Sequence, residues 1–201
     1  MKLYYSPGAC SLSPHIVLRE AGLPFKLEKV DLSAKKTESG LDYLEINPKG
    51  YVPALELAEG EVLTEGPAIV QFLADLVPEK KLAPMAGTFA RYRLQEWLNF
   101  ISTELHKGFS PLFNPKASDD WKARVKEQLG HRFQIAANQL TGSPYLMGDE
   151  FSVADAYLFT ILRWTNQASV DLSNLSVLNT YSDRVASRPA VRATLAEEGL
   201  I

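Results

Sequence analysis

The 201-residue sequence predicts a small α/β domain followed by an all-helical domain. Up to residue 77, short apolar strands alternate with amphipathic helices, whereas later apolar residues recur only at helical spacing. Between these halves, the segment PEKKLAPMAGT combines two prolines, a glycine and adjacent lysines, a composition typical of a linker. We therefore expect one domain over residues 1–78, a linker over 79–87 and a helical domain over 88–201.

The first half begins with a strand, a helix and a second strand. Residues 2–5 form a short, mostly apolar run, which predicts a buried strand. A helix over 12–21 follows, because Pro14 is tolerated in a first helical turn and Gly22 ends the pattern. Residues 25–32 then alternate apolar with charged side chains, as a strand with one buried face does.

The remainder of this half contains shorter elements. A polar loop leads to a weak helix over 41–46. Two short strands follow and turn at Glu59 and Gly60. A further helix begins at Thr64, with Pro67 near its first position.

The second half is predicted to be helical throughout, with a central helix over 153–164 that is apolar on nearly all sides. Ser152 and Asp155 have the spacing of a capping box, which marks the start of this helix. Two other segments carry a single apolar stripe each. The stripes consist of Leu94, Trp97, Leu98, Ile101 and Leu105 in one helix, and Trp121, Val125, Leu129, Phe133, Ala136 and Leu140 in another.

Composition excludes several classes of function. Hydrophobic residues at 46%, charged residues at 22% and a net charge of -3 are ordinary globular values, so we expect no nucleic acid partner. The apolar run after Lys2 is too short for a signal peptide and no later stretch approaches a membrane span, which predicts a cytoplasmic protein without a membrane partner. Zinc-type clusters, a P-loop and a G-x-G-x-x-G segment are missing, so neither metal nor nucleotide is expected.

The stretch SPGACSLSP holds the only cysteine of the chain, Cys10, just before the first helix. Free N–H groups and the positive end of a helix dipole favour a thiolate there, although a small buried hydrophobe is the ordinary role of a lone cysteine. Internal disulfides are excluded, and any disulfide chemistry must use an outside thiol. Ser11 either caps the helix, which is favoured, or directs its hydroxyl at a ligand. Tyr5 lies at the strand end, in the core or at its rim.

A second candidate group lies in EWLNFISTELHKGF. Asn99, Thr103 and His106 fall at i, i+4 and i+7, on the helix face opposite the apolar stripe, and Glu104 and Lys107 flank them. A helix with this pattern presents an imidazole within a polar strip. The alternative is that His106 is an ordinary surface or hydrogen-bonded histidine.

A third candidate group consists of backbone features. Val52 precedes Pro53, which favours an extended conformation and permits a cis peptide, and extended backbone can hold a peptide ligand by strand-like hydrogen bonds. Glu65 and Gly66 begin a helix whose N–H groups suit a carboxylate. The alternative for Glu65 is a favourable charge in a first helical turn.

These groups belong to segments that resemble the bacterial beta-class glutathione transferases, in the same order along the whole chain. The segments are YYSPGACSLSPHIVLRE, NPKGYVPAL, LTEGPAIVQFLAD, EWLNFISTELHKGFSPLF and FSVADAYLFTILRW. The resemblance implies a thioredoxin-like βαβαββα domain, a helical domain that forms the electrophile pocket, and a homodimer. It also implies that glutathione is the co-substrate.

The resemblance further implies where glutathione binds. Its cysteinyl part would pair with the backbone of Val52, before a cis Pro53. Its γ-glutamyl ammonium would bind Glu65, and its γ-glutamyl carboxylate would bind the helix start at Gly66. Lys35 would reach the glycyl carboxylate.

The helical domain would supply further site residues. Asn99 and Glu104 would approach the γ-glutamyl group from the neighbouring subunit, and Thr103 would belong to the same glutathione-binding strip. His106 would act in catalysis and, with Lys107, would line the wall that faces the second substrate.

Cys10 would lie beside the glutathione sulfur as the other catalytic residue, with Tyr5 and Ser11 in the second-substrate wall. One departure from the family pattern concerns Gly66. Many relatives carry Ser or Asp at this position, so a side-chain contact to glutathione is missing here.

The resulting hypothesis is that the glutathione thiolate attacks small hydrophobic electrophiles, and that Cys10 also exchanges disulfides with glutathione. Two other hypotheses remain open on the sequence. One is a monothiol oxidoreductase of glutaredoxin type, and the other is a non-enzymatic binding protein.

Overall fold

The computed structural model describes residues 1–57 and 60–201 and divides into two compact units. The first unit comprises residues 1–83 and 187–201, and the second comprises residues 84–186. The sequence-based division places residues 187–201 in the helical domain, whereas the structure groups them with the α/β half. Glu59, half of the predicted turn, lies outside the described residues.

The first unit has the element order that the resemblance implies, with one additional short strand. Its strands are β1 (Lys2–Tyr5), β2 (Lys26–Asp31), β3 (Lys36–Thr37), β4 (Ala54–Glu56) and β5 (Val62–Thr64). Its helices are α1 (Leu12–Ala21), α2 (Tyr43–Ile46), α3 (Gly66–Asp75) and α8 (Pro189–Glu197), with a 3-10 turn over Pro78–Lys80. Helix α8 packs against α1, which explains why the chain end joins this unit.

The sheet has the strand order β3-β2-β1-β4-β5. Strand β1 is parallel to β2 and antiparallel to β4, with Tyr4 opposite Ala54. Because β1 and β4 run in opposite directions, the residues after β1 and the residues before β4 lie at the same end of the sheet. The sheet topology therefore brings the Cys10 turn close to the segment that contains Val52.

A buried cluster supports that end of the sheet. Tyr4, Tyr43, Val52 and Ala54 all belong to it, and each is at most 6% exposed. Burial of these side chains fixes the segment before β4 against the sheet, since each apolar group that is removed from water favours the packed arrangement.

The start of α3 differs from the sequence-based expectation. Thr64 is the last residue of β5, and the helix begins two residues later, at Gly66. Glu65, between them, has a φ of 71°, a left-handed conformation that is uncommon for a residue with a side chain. Pro67 lies in the first helical turn, as expected.

The second unit is helical. Its α-helices are α4 (Phe89–Phe100), α5 (Asp119–Thr141), α6 (Val153–Ala168) and α7 (Ser176–Ala186). Between α4 and α5, residues Ile101–His106 form a π-helix and Lys107–Phe109 form a 3-10 turn. The sequence-based expectation of a single α-helix through residue 106 is therefore wrong, because the wider π-helical turn changes the side-chain spacing after residue 100.

The apolar stripes are buried as expected, apart from the two tryptophans. Trp97 is half-buried and Trp121 is 50% exposed. The capping box at α6 is confirmed, since the Asp155 carboxylate accepts hydrogen bonds from the Ser152 backbone and hydroxyl at 2.9 and 2.8 Å.

Among the described residues, no helix combines the length and apolarity needed to cross a membrane. In the same part of the chain, no group of three or more histidine, cysteine, aspartate or glutamate side chains is arranged to hold a metal ion.

Candidate functional site

Cys10 lies in the turn between β1 and α1 and contacts the segment before β4. Its thiol donates a hydrogen bond of 3.1 Å to the Val52 carbonyl. Gly8, with a φ of 70°, supplies the left-handed conformation that this turn requires. The structure thus brings together two groups that are 42 residues apart and that the sequence could only treat separately.

Burial, with a smaller contribution from the charge of Glu65, raises the pKa of the Cys10 thiol from 9.0 to about 12. The backbone N–H groups of Cys10 and Ser11 lower the pKa but do not offset burial. With this pKa, only about one thiol in 100,000 is ionised at pH 7. In the protein without glutathione, desolvation outweighs the helix N-terminus and favours the neutral thiol, in line with the alternative of a buried cysteine.

Ser11 does not cap α1 through its side chain, in contrast to the favoured expectation. Its hydroxyl oxygen accepts a hydrogen bond from the Ser6 N–H at 3.1 Å, and its hydroxyl donates to the Ser6 carbonyl at 3.2 Å. The side chain is fully buried, so its contacts close the turn. Tyr5 is half-buried at the end of β1, and burial raises the pKa of its hydroxyl.

The segment before β4 contains Val52 and Pro53, where the sequence permits a cis peptide. The Val52–Pro53 peptide is cis. The preceding carbonyl, of Tyr51, accepts hydrogen bonds from the Asn47 amide at 2.7 Å and from the Tyr43 hydroxyl at 2.8 Å. These two side chains hold the backbone in place beside Cys10.

Two lysines of the first unit form hydrogen bonds near the predicted binding residues. The Lys35 ammonium donates to the Gly50 carbonyl at 2.8 Å. The Lys49 ammonium lies 2.6 Å from the Glu65 carboxylate and 3.0 Å from the Thr64 hydroxyl. Sequence reasoning missed Lys49, since nothing in NPKG indicates that this lysine reaches a helix start 16 residues later.

Gly66 has room for a side chain. A Cβ atom placed there meets only the Pro53 Cγ, at 4.0 Å, and the backbone is not left-handed. Neither sterics nor backbone conformation therefore explains the absence of a larger residue at this helix start.

A network behind the Cys10 turn was also missed. His15 is fully buried on α1, with Nδ1 2.8 Å from Glu198 and Nε2 2.8 Å from Glu197. The Glu198 carboxylate additionally accepts the Gly8 N–H at 2.9 Å. Both glutamates lie at the end of α8, far along the chain from His15 and Gly8. Only the tertiary structure therefore reveals that the chain end supports the turn before Cys10.

In the second unit, the residues of the predicted polar strip do not contact a common partner but make separate contacts. Asn99 and Thr103 are exposed, and the Thr103 hydroxyl donates to the Asn99 carbonyl at 3.0 Å. Glu104 forms an ion pair of 2.7 Å with Arg132 of α5. Lys107 is exposed at the start of the 3-10 turn.

His106 makes the closest side-chain contact of this strip. Its Nδ1 lies 2.6 Å from the hydroxyl of Tyr157, and its ring packs edge-to-face on Trp164 with centroids 4.9 Å apart. Both aromatic residues belong to α6. Sequence reasoning assigned them to the core and missed their contact with His106.

The second unit also contains a cavity of about 610 Å³ between α4, α5 and the segment before α6. None of the predicted site residues lines it. Its lining consists of Arg93, Glu96, Trp97, Phe100, Ile135, Gln139, Leu146, Met147 and Gly148.

The two units therefore carry different functional groups. The first offers a thiol, an extended backbone, a carboxylate and two ammonium groups, which suit a peptide that carries both charges and a sulfur atom. The second offers an imidazole held by an aromatic pair.

Comparisons with known proteins agree with this chemistry. Residues 8–76 match the glutathione S-transferase N-terminal domain, and residues 100–189 match the glutathione S-transferase C-terminal domain. The glutathione S-transferase GstA of Escherichia coli O157:H7 is 48% identical over 200 residues, and the match covers 100% of both chains.

Solved structures also match over the full length of the chain. BphK, a bacterial glutathione transferase in a ternary complex, is 61% identical with a TM-score of 0.98 over 100% of both chains. A bacterial beta-class glutathione S-transferase of Sphingomonas chungbukensis is 47% identical with a TM-score of 0.96, again over 100% of both chains. These matches confirm the expected thioredoxin-like first domain and helical second domain.

Proposed function

The chain belongs to the bacterial beta class of the glutathione S-transferase family and is a glutathione transferase, and from this premise we propose that it conjugates glutathione to small hydrophobic electrophiles and exchanges disulfides through Cys10. The observation that carries the proposal is the hydrogen bond of 3.1 Å between the Cys10 thiol and the Val52 carbonyl. It supports a glutathione cysteinyl group bound along Val52, with its sulfur next to Cys10.

In this proposal, the ends of glutathione bind charged groups of the first unit. Glu65 binds the γ-glutamyl ammonium and the N–H groups at Gly66 bind the adjacent carboxylate, while Lys35 binds the glycyl carboxylate. Asn99, Thr103 and Glu104 complete the γ-glutamyl site from the second subunit of a homodimer. When glutathione binds, one of its N–H groups replaces the Cys10 thiol as the donor to the Val52 carbonyl. The thiol then donates to the glutathione sulfur instead.

Conjugation requires the glutathione thiolate. A free thiol with an ordinary pKa near 8.5 is only about 3% ionised at pH 7, so hydrogen bonds to the sulfur increase the supply of nucleophile. A neutral Cys10 thiol suits this task, because it has a proton to donate. His106 donates the second hydrogen bond, and the thiolate attacks an electrophilic carbon held against Tyr5 and Lys107, displacing its leaving group. The buried Ser11 side chain, whose hydroxyl is bonded to Ser6, is not part of this wall.

Disulfide exchange uses Cys10 as nucleophile. Its thiolate attacks the glutathionyl sulfur of a mixed disulfide, which forms a Cys10–glutathione disulfide and releases the other thiolate. A glutathione thiolate then attacks the same glutathionyl sulfur, releasing oxidised glutathione and regenerating Cys10. Because the pKa of Cys10 is about 12, exchange is expected to be slower than conjugation at neutral pH.

The cellular setting follows from the co-substrate. Both reactions consume reduced glutathione, which the reducing cytosol maintains, so we place the protein in the cytoplasm. Removal of reactive electrophiles by this route is a detoxification reaction.

Two substitutions of Cys10 test the proposal. Cys10→Ala removes the donor and the nucleophile, so conjugation of a chlorodinitrobenzene should fall about 2- to 12-fold and disulfide exchange should be lost. Cys10→Ser keeps a hydroxyl donor, so conjugation should be retained while exchange is lost. Steady-state assays of wild type and both variants measure these rates.

The outcomes separate the alternatives. Wild-type conjugation activity in Cys10→Ala would show that Cys10 acts only in disulfide exchange. Exchange by Cys10→Ser would contradict the role of the thiol, and a wild-type protein that catalyses only exchange would favour the oxidoreductase of glutaredoxin type.

A further inference from the structure

We propose that Tyr157 is a positioning residue of this enzyme, which orients the His106 imidazole and keeps its proton on Nε2. The inference rests on the proposed function, in which His106 donates a hydrogen bond to the glutathione thiolate. Tyr157 itself lies in α6, 51 residues after the histidine that it contacts.

The backbone around His106 is unusual. His106 is the last residue of the π-helix Ile101–His106, between the α-helix α4 and a 3-10 turn. Short π-helical turns are rare and are frequent at functional sites, since they move a side chain away from the position that a regular helix would give it. The local sequence alone therefore does not determine where the His106 ring lies.

Contacts from α6 hold the ring. The Tyr157 hydroxyl lies 2.6 Å from His106 Nδ1, and Tyr157 is only 3% exposed. The same ring packs edge-to-face on Tyr157 and Trp164, at centroid distances of 5.9 and 4.9 Å. One hydrogen bond and two aromatic contacts thus restrict both the position and the rotation of the imidazole.

One tautomer of the His106 ring suits the proposed role. At neutral pH a phenol retains its proton, and in a neutral imidazole one nitrogen accepts while the other carries the proton. With the Tyr157 hydroxyl as the donor to Nδ1, the ring proton resides on Nε2, which is the tautomer that the proposed role requires. The resulting Nε2–H group donates a hydrogen bond to an anionic sulfur without any change in its own protonation.

Kinetics of Tyr157→Phe test this role, because the change removes the hydroxyl and retains the ring. With glutathione and a chlorodinitrobenzene, kcat should fall about tenfold, while KM for glutathione changes less than about twofold. Tyr145→Phe removes a hydroxyl elsewhere in the same unit and should leave both parameters unchanged. Wild-type kcat in Tyr157→Phe would overturn the proposal.

A double-mutant cycle distinguishes positioning from a general structural role. His106→Asn should lower kcat, and adding Tyr157→Phe should cause no further loss, since the hydroxyl acts only through the imidazole. A further loss of about tenfold in the His106→Asn background would show that Tyr157 acts by another route, and would overturn the proposal.

The tautomer is measured directly on the full-length wild-type protein. At about pH 8, ¹H–¹⁵N spectra should show His106 Nε2 protonated and Nδ1 unprotonated, with the assignment taken from His106→Asn. A proton on Nδ1 would overturn the proposal whether or not Tyr157→Phe folds. This measurement needs no turnover, so it is separate from a failure of the conjugation activity.

Discussion

The Lys49 ammonium lies 2.6 Å from the Glu65 carboxylate, the group proposed to bind the ammonium of glutathione. Both side chains are more than half exposed, so the pair is an exchangeable surface ion pair rather than a buried one. Glutathione and Lys49 would therefore compete for the same carboxylate.

Lys49→Gln should lower the KM for glutathione. An exposed ion pair contributes about 0.2–1 kcal/mol, so loss of the competing lysine should lower KM about 1.4- to 5-fold at low ionic strength. Steady-state kinetics measure this change, and Lys80→Gln, at an exposed lysine of the same unit, should have no effect. An increase in KM would instead show that Lys49 binds a carboxylate of glutathione.

Gly66→Ser should also tighten glutathione binding, because it adds a hydroxyl at the helix start that is proposed to bind the γ-glutamyl carboxylate. The added Cβ fits, since its nearest neighbour is 4.0 Å away. One hydrogen bond of about 0.5–1.5 kcal/mol corresponds to a KM about 2- to 12-fold lower. Gly66→Ala, which adds the Cβ without the hydroxyl, is the control; an equal effect in both variants would contradict the hydrogen bond.

Alkylation of Cys10 should be slow in the folded protein and steeply dependent on pH. With a pKa of about 12, the thiolate fraction at pH 8 is about 1000-fold lower than in the unfolded chain, where the ordinary value applies. Intact-mass analysis after iodoacetamide treatment, in buffer and in urea, gives both rates. An apparent pKa of 9 or below in the folded protein would contradict the effect of burial.

The same shift affects stability at high pH. Folding favours the neutral thiol, so its contribution to stability is complete below the ordinary pKa of 9.0 and is lost as the pH rises to about 12.

Asp155→Asn should destabilise the second unit. Burial raises the pKa of Asp155, but its carboxylate accepts hydrogen bonds from the Ser152 and Leu146 backbones and from the Tyr181 hydroxyl. An amide cannot satisfy all these donors, so the free energy of unfolding should fall by about 2–4 kcal/mol. Thermal unfolding measures the loss, and exposed Asp149→Asn should leave the midpoint unchanged.

Local chemistry made much of the fold predictable. Helix α1 spans Leu12–Ala21 as expected, because Pro14 and Gly22 act on their own turns of backbone. The capping box at α6 was equally visible, since Ser152 and Asp155 are three residues apart. The π-helix ending at His106 was not predicted, because no local residue pattern specifies that turn.

The available groups could be predicted from the sequence: a single thiol before a helix, a segment before Pro53, an acidic helix start and a histidine among polar residues. Their protonation and orientation could not. Cys10 is a neutral donor to the Val52 carbonyl because burial raises its pKa, and His106 is held by Tyr157 of another helix. Both properties depend on desolvation and on hydrogen-bond partners, and folding brings these partners from distant parts of the chain.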